Sequence, residues 1–112
     1  MAVKCEEYGQ ICVMEIHGDF MADDAAVAKK LLEDHIESRQ IVDYVVDMKK
    51  STFVDSDGLE TLLWMKHRCE DLFGKLKLVN LDENLKKILE ITRLEHRFEC
   101  RDDLATALKT MR

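Results

Sequence analysis

The most continuous apolar run with β-branched character in this chain extends from Ile41 to Met48. Strands that are buried on both faces show such runs, whereas a half-exposed strand alternates apolar and polar residues. Strands of this kind lie in the middle of a parallel sheet, and parallel neighbours are joined by long crossovers that are usually helical. The run therefore predicts an α/β fold with this segment as its central strand.

The flanking segments follow the pattern that such a fold requires. Residues 2–8 and 10–17 alternate on either side of Gly9, which predicts an antiparallel hairpin whose charged first strand lies at a sheet edge. After the hairpin, helical and strand patterns alternate, which predicts a mostly parallel sheet covered by helices. The expected elements are helices over 23–38 and 58–73, helices that start at Asp82 and Asp102, and strands over 75–81 and 97–100.

The composition predicts a single domain over residues 1–112. Hydrophobic residues make up 46% of the chain, which is enough for a core, and four Gly with no Pro leave no flexible linker. The net charge of −6 argues against nucleic acid or an anionic membrane surface as the main partner. Because no leader-like segment or apolar run of spanning length occurs, we expect a cytoplasmic protein without direct membrane insertion.

The cysteines and histidines show no metal-ligand spacing along the chain. Cys5, Cys12, Cys69 and Cys100 are scattered, and no Cys-x-x-Cys motif occurs. Cys12 and Cys69 fall in apolar patterns, which favours buried, reduced thiols. His35 lies at the margin of a helical stripe and has no partner at ligand spacing, so a structural histidine is the simpler interpretation. The spacing predicts neither a metal site nor a cofactor.

A short turn, Asp55-Ser56-Asp57-Gly58, leads from the central strand region into the next helix. Asp57 and Glu60 have capping-box spacing, which predicts Asp57 as the N-cap and places Ser56 just outside the helix. A hydroxyl there lies near the positive end of the helix dipole, where a phosphate is well tolerated. From the residues alone a purely structural capped turn is the simpler interpretation, since Asp, Ser and Gly are common at helix starts.

The helix over 58–73 has an apolar stripe at helical spacing and a predicted C′ stop at Gly74. The residues expected in the core are Leu59, Leu62 and Leu63. The residues expected on the outer flank are Trp64, Met65 and His67. Because Trp is enriched at interfaces, Trp64 is a candidate partner contact.

The stretch that includes this turn resembles the signature of STAS domains, the anti-sigma factor antagonist family. The matching residues are Asp47, the run Phe53-Val54-Asp55-Ser56-x-Gly58-Leu59-x-x-Leu62, and the upstream turn Ile16-His17-Gly18-Asp19-Phe20. In that family, the first Ser of Asp-Ser-Ser-Gly-Leu at a helix N-terminus is phosphorylated. The order and length of the elements match over nearly the whole chain, but the family's second Ser is Asp57 here.

The resemblance implies a STAS-like fold: a mixed, mostly parallel sheet with an N-terminal antiparallel hairpin and about four packed helices. It also implies an anti-sigma factor antagonist without catalytic activity, whose partner is an anti-sigma factor and serine kinase of the GHKL ATPase type. Phosphorylation of Ser56 would release that partner, and a phosphatase would reverse the modification. The expected partner-binding residues are Asp19, Asp55, Ser56, Asp57, Gly58 and Trp64.

Two other functions are compatible with the sequence. Free-standing STAS domains also serve as subunits that stabilise the ATPase of ABC-type phospholipid transporters, and Asp57 favours such a non-switching member. The turn also resembles the Asp-x-Asp-Gly-Thr-Leu motif of haloacid dehalogenase phosphatases, in which the two Asp act as nucleophile and general acid beside Mg²⁺. Three features oppose the phosphatase: Leu59 replaces the Thr, the motif lies mid-chain, and the residues before it are polar.

Overall fold

Five strands and four helices alternate in the computed structural model, which describes residues 2–111. The strands are β1 (Val3–Tyr8), β2 (Ile11–His17), β3 (Asp43–Lys50), β4 (Leu76–Val79) and β5 (Glu99–Arg101). The helices are α1 (Ala22–Arg39), α2 (Ser56–Asp71), α3 (Glu83–Ile91) and α4 (Leu104–Lys109). The strands lie in the order β1-β2-β3-β4-β5, and of the pairs described only β1 with β2 is antiparallel. The predicted α/β fold with an N-terminal hairpin and four helices is confirmed.

The sheet is covered on both faces, and β3 contributes to both cores. Val46 packs in the core shared with α1, α2 and α3, whereas Val45 packs in a smaller core with α4. The central position predicted for this strand is confirmed, but the strand begins and ends two residues later than predicted. Ile41 is buried in the core before the ladder begins, and Lys50 still pairs with His17 of β2 although its side chain is exposed.

Three of the four helices begin after an aspartate whose side chain accepts a backbone N–H from three residues further on. These aspartates are Asp55, Asp82 and Asp103. The prediction for Asp82 is correct, but those for Asp57 and Asp102 are wrong. Asp57 lies within the first turn of α2, because Asp55 already has the extended backbone and the accepting carboxylate of an N-cap. A nearby Glu60 with capping-box spacing was therefore a misleading signal.

Helix α2 is buried on a wider surface than its apolar stripe indicated. Leu59 and Leu62 are buried as predicted, whereas Leu63 is only partly buried. Met65 was predicted on the outer flank but is fully buried. The prediction failed because α2 packs against α1 as well as against the sheet, so that two of its sides are covered.

The end of α2 differs from the predicted glycine stop. Phe73, with φ of 63°, takes the left-handed conformation that was assigned to Gly74. The N–H of Gly74 instead donates to the carbonyl of Cys69 at 2.8 Å. A Cβ atom on Gly74 would lie 1.9 Å from the carbonyl oxygen of Val42, so this position needs glycine for close packing rather than for its φ angle.

Lys77 on β4 is fully buried, although its alternation with leucines resembles a solvated strand face. Its Nζ donates to the carbonyl oxygen of Thr110 at 2.5 Å and to the hydroxyl of the same residue at 2.8 Å. The carboxylate of Glu99 lies 3.3 Å away. The ammonium group therefore holds the C-terminal end of α4 against the sheet and is itself fully paired.

Candidate functional site at the start of α2

The turn before α2 lies at the edge of the sheet where the parallel strands end. After β3, residues 51–55 run beside the turn that follows β2. The N–H of Gly18 donates to the carbonyl of Lys50 at 2.9 Å, and the N–H of Phe20 donates to that of Phe53 at 2.9 Å. The two sequence motifs that carried the resemblance are therefore hydrogen-bonded to each other. Asp19 is exposed between these contacts, beside the turn.

Ser56 is the first residue of α2 and is exposed. It therefore lies inside the first helical turn, not just outside the helix as predicted. The carboxylate of Asp55, which is partly buried, accepts the N–H of Gly58 at 2.9 Å. Among residues 2–111, no protein group accepts the N–H groups of Ser56 and Asp57. These two donors and the positive end of the helix dipole can stabilise a negative charge on the Ser56 side chain.

Gly58 allows α2 to start directly against the preceding segments. A Cβ atom at this position would lie 2.3 Å from the carbonyl oxygen of Phe20 and 2.5 Å from a methyl group of Val54. Gly58 is itself buried, so it fixes the position of the turn and offers no side chain to a partner. Asp57, by contrast, is exposed next to Ser56.

Burial separates Ser56 from most of the other hydroxyl groups near the turn. Ser51 is 1% exposed and Thr61 is 7% exposed, so neither side chain is available to a large enzyme. Thr52 is exposed in the loop before the turn and is not at a helix start. Ser56 thus combines exposure with the favourable electrostatics of a helix N-terminus.

Two large apolar side chains next to the turn are exposed, which was not predicted from the sequence. Met21 and Phe53 are each 43% exposed, and they belong to the two segments that are hydrogen-bonded beside Ser56. Exposed large apolar side chains are a feature of protein interfaces, whose centres are more apolar than their polar rims. Their signal in the sequence is that each lies outside any helical or strand period, so nothing in the fold requires an apolar residue there.

Trp64 lines a groove between α1 and α2 and is partly buried in it. The Nζ atom of Lys29 lies 4.7 Å from the centre of the indole ring, which is a cation–π distance. The groove has a volume of about 1070 Å³ and extends from Asp57 at the start of α2 to His67. The structure thus connects Trp64 to the turn through a continuous surface, although the two are about 12 Å apart along the helix.

The carboxylate of Asp47 is hydrogen-bonded within the fold and supports the end of β3. Its carboxylate accepts the backbone N–H of Lys49 at 3.0 Å and the side-chain amide of Asn80 at 3.0 Å. These bonds tie the end of β3 to the loop after β4, and Asp47 is only 8% exposed. The acidic residue of the motif thus supports the edge of the sheet from which the turn projects.

Fold and site together define a small α/β domain that presents an exposed serine at the edge of its sheet, next to segments that carry exposed apolar side chains. The sequence model of the STAS domain matches residues 2–107, and this chain belongs to the STAS domain family. Within residues 2–111 no helix combines the length and the apolar character that crossing a membrane requires.

Solved structures share the fold. A proposed anti-sigma factor antagonist from Thermotoga maritima has a TM-score of 0.88 at 15% identity, with 97% of this chain and 93% of that chain covered. The phosphorylated form of the Bacillus cell fate determinant SpoIIAA has a TM-score of 0.79 at 17% identity, with 99% and 100% covered. A sulfate transporter family protein from Wolinella succinogenes has a TM-score of 0.79 at 19% identity, with 89% and 83% covered. At these identities the likeness establishes the fold.

Proposed function

We propose that this domain is an anti-sigma factor antagonist that is switched off by phosphorylation of Ser56. The observation that carries the proposal is the position of Ser56: it matches the motif serine of the family, it is exposed, and it lies beside two backbone N–H groups without a protein acceptor. The partner is an anti-sigma factor that is also a serine kinase of the GHKL ATPase type, and a phosphatase restores the binding form. The domain has no catalytic activity in this proposal and acts in the cytoplasm.

The unmodified turn offers a partner an exposed hydroxyl group, and the exposed apolar side chains of Met21 and Phe53 belong to the adjacent hydrogen-bonded segments. Phosphorylation adds a charge of roughly −1.5 to −2 at this point. Buried in an interface without a matching cation, such a charge carries a large desolvation penalty, so the partner dissociates. The domain itself tolerates the phosphate, because the N-terminus of α2 contributes donors and a favourable dipole.

Asp57 modifies the switch. Its exposed carboxylate is adjacent to Ser56, so it repels a phosphate and raises the second pKa of that phosphate. The Nζ atom of Lys50 lies 3.6 Å from the carboxylate of Glu15 and is therefore already paired. The dipole of α2 offsets the repulsion by about 0.3–1 kcal/mol at an exposed site. Phosphorylation is therefore possible but slower than with Ser at position 57, and Asp57→Ser should accelerate it.

The test is incubation with the cognate kinase and ATP, followed by intact mass and site mapping. The wild type should gain one phosphoryl group, Ser56→Ala should gain none, and Thr52→Ala should behave like the wild type. Ser56→Ala should also stay bound to the kinase, whereas Ser56→Asp should bind weakly. A phosphate on Thr52 with Ser56 unmodified would refute the assignment.

The docking surface has a separate test with a matched control. Phe53 beside the turn and Tyr8 on the edge strand β1 are exposed to similar extents, 43% and 45%. Phe53→Ala should weaken binding to the kinase by about tenfold or more, since interfaces concentrate their energy in a few residues. Tyr8→Ala should leave binding unchanged. Equal losses from the two variants would exclude the turn as the centre of the interface.

A second candidate function is that of a STAS subunit which stabilises an ABC-type phospholipid transporter ATPase. It is favoured by Asp57 in place of the second Ser, and the fold shared with a sulfate transporter family protein is compatible with it. Pull-down from the native host separates the candidates, because one predicts a small kinase and the other an ABC ATPase. Failure of a verified cognate kinase to phosphorylate the domain would favour the transporter subunit.

A further inference from the structure

A cluster of three side chains with metal-ligating atoms lies where α1 packs on the hairpin. The Sγ atoms of Cys5 and Cys12 and a ring nitrogen of His35 all lie within 4.8 Å of one another. Cys5 pairs with Met14 and Cys12 pairs with Glu7 across the hairpin, so the two thiols are diagonal neighbours. This cluster cannot be recognised from spacing in the sequence, because its members are 7 and 23 residues apart along the chain (5 to 12, and 12 to 35). Spacing rules detect ligands within a local motif, not ligands that a sheet and a helix bring together.

The orientation of His35 leaves one nitrogen free for a ligand. Its Nδ1 donates to the carbonyl oxygen of Leu31 at 2.8 Å, so the lone pair of the neutral ring is on Nε2. Metal-binding histidines commonly hold their other nitrogen in this way, by a hydrogen bond to a backbone carbonyl. The fourth side of the cluster carries Glu7, whose Oε2 lies 3.7 Å from Nε2 of His35. Arg39 donates to the other oxygen of Glu7 at 2.9 Å and so holds the carboxylate in place.

The thiols differ in environment. The pKa of Cys5 is lowered, chiefly because the thiol of Cys12 donates to it and in part because His35 is close, while burial opposes the shift. The pKa of Cys12 is raised by the same hydrogen bond and by burial. Cysteine binds metals as the thiolate, so both thiols must lose their protons when an ion binds. Cys12 is fully buried, and Cys5 is partly open to solvent, which leaves a path for an ion to enter.

We propose that Cys5, Cys12, His35 and Glu7 bind a single zinc ion. A tetrahedral zinc site has Zn–S distances of about 2.3 Å and Zn–N distances of about 2.0 Å, which puts the ligand atoms about 3.5–3.8 Å apart. The observed spacing therefore needs movements of about 1 Å. Both thiols lose their protons as the ion binds, so binding strengthens with pH. The ion joins the C-terminal part of α1 to the edge of the sheet.

A disulfide between Cys5 and Cys12 is the competing interpretation of the paired thiols. It would need neither a histidine with an oriented free nitrogen nor a carboxylate held by an arginine. The convergence of these two further groups on the thiols favours the metal.

The proposed site lies at the end of the domain away from Ser56, because His35 is near the C-terminus of α1 and the turn lies near the N-terminus of that helix.

The test uses the reduced full chain, with Co²⁺ as the spectroscopic probe and Zn²⁺ as the competitor. One equivalent of Co²⁺ should give sulfur-to-cobalt charge-transfer absorption and the visible bands of tetrahedral cobalt, and Zn²⁺ should abolish both. Zn²⁺ at about 100 times its Kd should raise Tm by about 10 °C. Cys5→Ser and His35→Gln should each weaken binding by about 100-fold, and Glu7→Gln by about tenfold.

Cys100→Ser is the matched control, since Cys100 is the other partly buried cysteine and lies outside the cluster. It should retain the cobalt spectrum of the wild type. Circular dichroism of each variant confirms that the fold is intact, and His35→Gln tests the site without removing a thiol. The proposal is overturned if reduced wild type shows no thiolate–cobalt absorption, if Cys5→Ser binds as tightly as the wild type, or if a disulfide is the only product formed by these thiols.

Discussion

Replacing Gly58 with Ala has two opposing effects on stability, a gain in helix propensity and a steric clash with the neighbouring segments. In most helices the change stabilises, since Ala is favoured over Gly by up to about 1 kcal/mol. At this position the added methyl group would lie 2.3 Å from the carbonyl oxygen of Phe20, a contact far shorter than van der Waals distance. The oxygen belongs to backbone in the turn after β2, so it has little freedom to move away.

The expected magnitude follows from these opposing contributions. Overpacking of a filled site costs about 1–3 kcal/mol, and here both Phe20 and Val54 obstruct the new methyl group. Because both obstructions apply, the cost falls in the upper part of that range, about 2–3 kcal/mol, and subtracting about 1 kcal/mol for the gain in helix propensity leaves a net destabilisation of about 1–2 kcal/mol. For a domain of 112 residues, a change of 1 kcal/mol corresponds to roughly 4 °C in Tm, which predicts a decrease of about 4–8 °C.

Thermal and urea unfolding followed by circular dichroism measure this change directly. Glu60→Ala is the matched control, because Glu60 is exposed on the same helix and should shift the unfolding free energy by no more than about 0.5 kcal/mol. A Gly58→Ala variant that is as stable as the wild type, or more stable, would show that α2 does not start against the Phe20 segment. The reasoning about how the serine turn is positioned would then fail as well.

Three further variants test the polar contacts that hold the fold. Asp55→Ala removes the N-cap of α2 and should lower the unfolding free energy by about 0.5–2 kcal/mol in urea melts, whereas Asp55→Asn should recover most of the loss. Lys77→Met removes the two hydrogen bonds that the buried ammonium group donates to Thr110 at the end of α4 and should cost about 1–3 kcal/mol, while Lys75→Met at an exposed position should be neutral. The pKa of Asp103 is lowered because its carboxylate accepts a backbone N–H, so its contribution to stability is present above the ordinary pKa and is lost as pH falls through the lowered one. NMR titration should show that lowered pKa, and Asp103→Asn should weaken the acid dependence of unfolding.

The sequence predicted the fold well because local patterns and topology agree in this chain. Each apolar pattern indicates which face of its element must be covered, and the observed packing covers that face. This holds for the buried run in β3, the alternation in β2 and the apolar stripe of α2. The errors arose where tertiary contacts decide. Met65 is buried because α1 covers a side of α2 that no single-helix pattern can identify. The buried Lys77 was hidden for the same reason, since its partners lie at the far end of the chain.

The candidate site, like the fold, was predicted from the sequence only in part. Ser56 and the neighbouring turn after β2 were identified from motifs, and the hydrogen bonds between the two segments explain why the motifs occur together. The N-cap was misassigned because Asp55 and Asp57 are both chemically suited to it, and only the backbone conformation distinguishes them. The exposure of Met21 and Phe53 was not predicted, because exposure of an apolar side chain is a property of the assembled surface.

Helix α1 is the element that connects the two regions proposed to have a function. Its 18 residues correspond to a length of about 27 Å, with the serine turn near one end and the thiol–histidine cluster near the other. Coupling over that distance would need α1 itself to adopt two arrangements against the sheet. Its buried stripe, Ala25, Ala28, Leu32 and Ile36, instead packs in one continuous core, which favours a single arrangement. Metal binding at one end and phosphorylation at the other are therefore expected to be energetically independent, so a failure of either proposal leaves the other standing.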